Sequence, residues 1–422
     1  MKNSYIIPFA LLAILIFSLS SCIEDSCERE VTYTQLVPVY LKATEIHRIQ
    51  VGNEAPRDLC EPGKIYYYND YLFINEGREG VHVIDNSDRS NPINRTFISI
   101  PGSEDIAIKD GRLLANCYTD LLSIDIDDIY NVKLLTRTEN VFPPIQTTND
   151  DRVLVYYNTE EITEVLDCND INRLKNSSLI FFIDAEMSGA AYNNQGNQTG
   201  IAGSMARFSI VGDYLYVVDN TSLYVFNLDN GLATLANTVN LGWGIETIIP
   251  YEDKLFIGSN SGMFIFDNSN PIHPVMLSSF SHARACDPVF VKDNYAYVTL
   301  RSGNACSGFT NQLDLIDITD LMNPQLIESF PMDNPHGLSI HGDHLFLCEG
   351  ASGLKSFDIS DPTQLDDNLL DKIGGFDAFD VIALPGDELN LLVIGEDGFY
   401  QFNADNPAAL SLISTLRKKS CE

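Results

Sequence analysis

Four carboxylates, Glu104, Asp105, Glu246 and Asp287, stand ahead of short apolar stretches, where chain reversals would bring them together. Hard oxygen donors of this kind suit calcium, and Glu104, Glu246 and Asp287 are the set that would hold it in a metal-dependent hydrolase. Arg207, Arg301 and His336 fall at comparable positions and would add cationic and hydrogen-bonding contacts. Trp243, the only tryptophan, is flanked by Gly242 and Gly244; it reads either as a stacking platform for a sugar or peptide or as a plug. His336, His341 and His344 are the densest histidine group, with Gly342-Asp343 forming a turn between the last two. Asp125-Ile126-Asp127-Asp128 has the acid density of a calcium loop but lacks its central glycine and distal glutamate, so it is assigned to a turn. Cys286 and Cys306 bracket a segment short enough for a disulfide to staple. Cys117 and Cys348 read as buried thiols, while Cys27, Cys60 and Cys421 are candidates for tying the chain ends, with their connectivity open. No tryptophan docking repeat, WD dipeptide, sialidase box, G-x-S-x-G elbow or phosphate-binding loop occurs, so the cofactor and nucleophile chemistry these carry is not expected. No cofactor is expected other than calcium under the hydrolase alternative.

Composition sets the surroundings. The 422 residues carry a formal charge of −33 and are 45% hydrophobic, ample for a core and repulsive to nucleic acid. The uncharged apolar run Ile6–Leu19 follows Lys2 and is too short to span a bilayer comfortably, as a signal peptide would be. Leu19-Ser20-Ser21-Cys22 then resembles a lipobox, which would place diacylglycerol on Cys22 and leave 1–21 as the leader. Ile23-Glu24-Asp25 resembles the surface-export signal of Bacteroidetes lipoproteins. The expected address is the outer membrane or cell surface, held by lipid, and exported cysteines there are free to oxidise.

Positioning these groups falls to one recurring phrase. It reads GVHVIDNSDRSNP at Gly80–Pro92, LLSIDIDDIYN at Leu121–Asn131, SLYVFNLDNG at Ser222–Gly231 and GMFIFDNSNPIHP at Gly262–Pro274. It returns as QLDLIDITDLMNP at Gln312–Pro324, GLKSFDISDP at Gly353–Pro362 and GFYQFNADNP at Gly398–Pro407. The anchors Asp85, Asp125, Asn227, Asp267, Asp317, Asp358 and Asn403 are spaced 40, 102, 40, 50, 41 and 45 residues apart. Apolar alternation before each anchor predicts a half-buried strand, and the Asp or Asn predicts a turn closed on the amide two residues on. Turns such as Gly212-Asp213 and Gly342-Asp343 upstream predict a hairpin. Four short antiparallel strands per forty-odd residues make a propeller blade, which buries its faces only by stacking on neighbours around an axis. The gap of 102 accommodates a degenerate unit, Glu161–Asp170 with Asp167 as anchor. The expected fold is therefore an all-β propeller of seven or eight four-stranded blades, eight being favoured, with an open solenoid as the rival. The division expected is a tether and leading strand over 22–62, the propeller over 63–416 with a long insertion near 168–204, and a tail over 417–422. The Gly-, Asn- and Ala-rich part of that insertion, Asp184–Ser204, reads as mobile.

The phrases VHVID, LDLID and FIFDNSNP resemble the LVIVD repeat of bacterial cell-surface propellers, over most of Gly63–Leu416. That resemblance implies a lipoprotein propeller and no defined activity. In a four-stranded blade, the loop entering the inner strand and the loop joining the second and third strands emerge on one face. Glu104, Asp105, Arg207, Trp243, Glu246, Asp287, Arg301 and His336 are thus expected at one channel mouth. The functional expectation is a non-catalytic binding or scaffolding module for a protein, glycan or envelope component, with a calcium-dependent, lactonase-like hydrolase as the alternative. Oligomeric state is left open.

Overall fold

Each copy of the phrase forms the third strand of a four-stranded antiparallel sheet in the computed structural model, which describes residues 28–144, 146–167, 201–229, 232–281, 288–301 and 311–419. In the first sheet the inner strand Pro62–Tyr68 turns at Asn69-Asp70 into Tyr71–Glu76. Gly80–Asp85 and the outer strand Ile93–Ser99 follow. The remaining sheets run over residues 106–138, 208–240, 245–281, 289–331, 338–373 and 380–417, giving seven blades. Seven is thus the observed one of the two predicted counts. The supposed eighth anchor, Asp167, instead ends a long strand, Arg152–Asp167, paired with Glu28–Lys42 in a separate two-stranded sheet. Among the described residues, 28–39 and 156–167 group as one compact unit and the rest as another. Gly52–Glu54 adds a strand outside Ile93–Ser99, and Ile201–Ala202 one inside Pro62–Tyr68.

All seven anchors make the predicted turn. Their side-chain oxygens accept the amide two residues on, at 2.7 to 3.2 Å, from Ser87, Asp127, Asp229, Ser269, Thr319, Ser360 and Asp405. Bonds from the Ser87, Ser269, Thr319 and Ser360 hydroxyls and amides hold Asp85, Asp267, Asp317 and Asp358 below the usual carboxylate range. The next residue's amide then donates to the turn between the first two strands, as Asn86 does to Asp70 and Ile359 to Asp343. The outer strand bulges opposite the residues just before each anchor, from Val83/Ile84 in the first blade to Gln401/Phe402 in the last. A bulge raises local twist, which a blade needs to splay outward from an axis.

The core lies between blades rather than within them. One cluster joins the first three blades, and four more join each later neighbouring pair. Ile65, Leu72 and Ile84 of the first blade pack with Ile382, Leu392 and Phe399 of the seventh, closing a ring. Asn86 and Gln401 add a reciprocal amide pair at 3.0 and 2.7 Å across that seam. A closed cycle of cores excludes the open solenoid. Cys117 and Cys348 are buried and free, as expected. Cys22, Cys27, Cys168, Cys286, Cys306 and Cys421 lie outside the described residues, so the Cys286–Cys306 pairing does as well.

Candidate functional site

The inner-strand entrances and the second-to-third-strand loops do share a face. Gly77 donates to Glu61, Gly102 to Arg78, and Gly350 to Ala378, each pairing an entry segment with a strand-joining loop. The centre of this face is crossed by Ile201–Arg207, whose first four residues end the segment read as mobile and whose last three lead into the inner strand of the third blade. Ile201 and Ala202 pair with Tyr67 and Tyr66 of the first blade. Ser204, fully buried, donates from both N and Oγ to Asp380 Oδ1 in the seventh blade at 3.0 and 3.1 Å. Its Oγ accepts the Leu338 amide of the sixth at 2.6 Å. Ala206 accepts from Ile248 of the fourth blade, and the Arg207 amide donates to Asp105 of the second. Tied at five points to separate blades, the described part of this segment is structural. Mobility is expected only where a backbone lacks such partners.

Asp105 is the hub of this arrangement. Its Oδ2 accepts Lys64 Nζ at 2.9 Å and the amides of Arg207 and Phe208 at 2.5 and 3.1 Å, while Oδ1 accepts Ile106 N at 2.8 Å. Both Asp105 and Lys64 are buried. Burial pulls the Lys64 ammonium below its usual range, against the attraction of Asp105. Asp380 is buried too, with Oδ2 unbonded within the protein, and burial pushes its pKa well above the carboxylate range. A Cβ on Gly203 or Gly337 would overlap the Asp380 carboxylate. Gly203→Ala is therefore expected to lower the thermal midpoint, with a cost of about 1–3 kcal/mol from overpacking. Gly212→Ala, where a Cβ meets open space but φ is +57°, should cost about 1 kcal/mol through backbone strain alone. A Gly203→Ala variant that melts with the parent would contradict the packing described.

Buried glutamates recur at the same register, nine residues before the anchor. Glu76 accepts the Cys60 and Glu61 amides and His82 Nε2, the last at 2.8 Å. Burial opposes its ionisation, yet the His82 bond and the two amides hold its pKa below the usual value. Glu349 accepts the Asp333 and Asn334 amides at 2.8 and 2.7 Å and Lys355 Nζ at 2.9 Å. Asn116 does the same work in the second blade, accepting the Glu104 amide at 2.8 Å. Glu76 and Glu349 were read from the sequence as loop residues of the mouth face, but their partners His82 and Lys355, and Lys64 and Ser204, were not singled out. The shared register of the two glutamates, with a histidine or lysine three residues before each anchor, was the signal available there.

The predicted mouth residues divide by exposure. Asp105, Arg301 and His336 are buried rather than lining an open mouth. Arg301 Nη1 lies 2.6 Å from His336 Nδ1, and Asn334 Nδ2 lies 3.0 Å from Nε2. Burial lowers Arg301 to about 10. The same burial, with the Arg301 charge, pushes His336 down to about 2. Glu104 and Arg207 are about one-third exposed and meet at 3.4 Å, with Arg78 at 3.8 Å from Glu104. Glu246 is half-buried. Trp243 is 79% exposed, which rules out the plug reading, since Gly242 and Gly244 at φ +107° and +83° carry the loop outward. His341 and His344 are cross-strand partners, while His336 belongs to the other end of its strand. Asp287 lies outside the described residues, so the set Glu104, Glu246 and Asp287 is not described together. Among the described residues no group of three or more His, Cys, Asp or Glu side chains is placed to hold a metal ion.

LVIVD repeats are found at residues 63–95, 202–227, 248–281 and 283–331, about a third of the chain. They fall on the first, third, fourth and fifth blades. No curated protein matches the chain. Similar solved structures include BamB from Moraxella catarrhalis, at 8% identity, 88% of this chain, 97% of that one and a TM-score of 0.48. A functionally unknown protein from Desulfotomaculum acetoxidans DSM 771 shares 11% identity over 84% and 95%, with a TM-score of 0.46. The computationally designed Ika8 protein shares 8% over 87% and 92%, with a TM-score of 0.47. Likeness at this level bears on no activity.

Proposed function

We propose that the chain is an exported, lipid-anchored propeller that binds or scaffolds a protein, glycan or envelope component through its entry-loop face. The observation that carries this reading is the axial segment Ile201–Arg207. The buried carboxylates there are committed to amides, Lys64 and Ser204 of the same chain. What that face offers outward is the Trp243 ring and the Glu104, Arg207 and Arg78 cluster, a contact surface of one aromatic and mixed charges. Diacylglycerol on Cys22 would hold the propeller at the outer membrane or cell surface, and a Cys286–Cys306 bond would staple the long loop beside the same face. The apolar leader, the lipobox-like Leu19–Cys22 and the spacing of the two cysteines support these assignments.

The sole tryptophan lets the reading be tested without a label. Free Trp243 should emit as a solvent-exposed indole and be quenched readily by acrylamide. Soluble peptidoglycan fragments, a cell-surface polysaccharide extract and detergent-solubilised outer-membrane protein are the probes. One of them should shift the emission to the blue and protect the ring, with Trp243→Phe weakening capture about tenfold, as loss of an aromatic anchor does. Emission and quenching untouched by all three would sink it. A calcium-dependent melting shift lost in Glu246→Gln would move the reading to the metal-dependent alternative.

A further inference from the structure

A second concave site lies on the opposite face, where the turns joining inner and second strands emerge. Between the first and second blades is a 520 Å³ pocket, within the size range of ligand sites. Phe73, fully buried, lines it together with Tyr71 and Tyr130, Tyr130 being 59% exposed. Asp110, Asp127 and Asp128 ring the opening. Asp127 has Arg112 at 3.4 Å, which also pairs with Asp125. Asp110 and Asp128 have no cation beside them among the described residues, and the Asp128 side chain accepts only the Tyr130 amide. The pocket therefore keeps negative charge in excess beside exposed aromatic faces, in a chain whose formal charge is −33.

We infer that this pocket binds an organic cation, a guanidinium or ammonium group lying against the tyrosine faces with its charge toward Asp110, Asp127 and Asp128. Aromatic quadrupoles and carboxylates both favour a cation. Arg112 and Arg95 are the cations near the pocket, and they pair with Asp125, Asp127 and Asp85, which leaves Asp110 and Asp128 to repel an anion. The phenols supply few donors to a neutral sugar, and the carboxylates are acceptors only. The inference stands apart from the entry-loop reading, since its residues lie at the other end of the blades.

The test uses the mature chain and agmatine at low ionic strength, read by calorimetry and by saturation transfer from protein to ligand. Agmatine should bind, and Tyr130→Ala should weaken it roughly two- to fivefold, the loss of one exposed cation–π contact. Asp110→Asn should weaken it by about threefold or more, and asparagine tolerates the φ of +49° at that turn, so the fold is spared. Trp243→Phe should leave agmatine binding unchanged, which separates this site from the other. A Gly-Arg-Gly peptide binding at least as well as agmatine would assign the cation to a partner's side chain; spermidine binding better would assign it to a free polyamine. Cellobiose binding in preference to either, no saturation transfer, or binding indifferent to both Tyr130→Ala and Asp110→Asn would overturn the inference.

Discussion

Asp105→Ala is expected to destabilise the propeller by about 3–5 kcal/mol, the loss typical when one member of a buried ion pair is removed. Alanine would leave the Lys64 ammonium buried without its carboxylate and would strip acceptors from the Ile106, Arg207 and Phe208 amides. The partners belong to the first, second and third blades, so the loss falls on the seam between blades rather than on one sheet. The sign of its pH dependence follows. A lysine whose folded pKa is depressed penalises folding below that pKa and is relieved as pH rises towards its unfolded value near 10.5. The deficit of Asp105→Ala should therefore shrink between pH 8 and pH 11. Adding Lys64→Met should restore part of the loss at pH 7, because an apolar chain of similar length needs no partner there. Denaturant melts of the four proteins in a double-mutant cycle measure this. A single variant within about 1 kcal/mol of the parent, or a coupling near zero, would remove Asp105 from the centre of the structure.

Lowering the pH from 6.5 to 4.5 should cost the parent chain about 2 kcal/mol through His336 alone. Burial and the neighbouring Arg301 hold this imidazole neutral, pushed down to about 2, whereas in the unfolded chain it protonates near 6.5. The unfolded state thus binds a proton that the native state refuses, and stability falls as pH falls, by about 1.4 kcal/mol per unit once well below 6.5. The lowered carboxylates Glu76, Asp85, Asp267, Asp317 and Asp358 act with the same sign, but only below their unfolded values near 4. Asp380, whose folded pKa is raised by burial, acts with the opposite sign across the same window, so the histidine contribution is read as the difference between the parent and His336→Gln. Relative to the parent, His336→Gln should therefore gain thermal stability as the pH falls from 6.5 to 4.5. Parallel curves for the two proteins would mean that the ring is charged or reachable by water in the native state.

Both effects depend on residues whose position could be read from the sequence but whose burial could not. Strand order assigned Glu104, Asp105, Arg301 and His336 to one face, and hydrogen bonds join entry segments to strand-joining loops there. Whether each pointed to water or inward was settled by partners far away in the chain. Lys64 reaches Asp105 over 41 residues and Ser204 reaches Asp380 over 176. Trp243 is the converse case: a glycine on either side permits a ring to point in or out, and the positive φ values turn it outward. The eighth blade failed for a related reason. Glu161–Asp170 carries the same local alternation and acid, yet Arg152–Asp167 is one long strand paired with Glu28–Lys42 instead of the third of four.

What the chain's own order of residues determined is whatever is settled within a few positions. Alternating apolar side chains made strands, and an acid or amide at each phrase's end captured an amide two residues away, seven times over. Those interactions are short in range, so each repeat declares them independently. The blade number, the strap of Ile201–Arg207 across the axis and the sorting of carboxylates into buried and exposed were decided only when the ring closed. Closure depends on how many twisted sheets fit around one centre and on which distant groups then lose their water, and neither quantity exists until the blades meet.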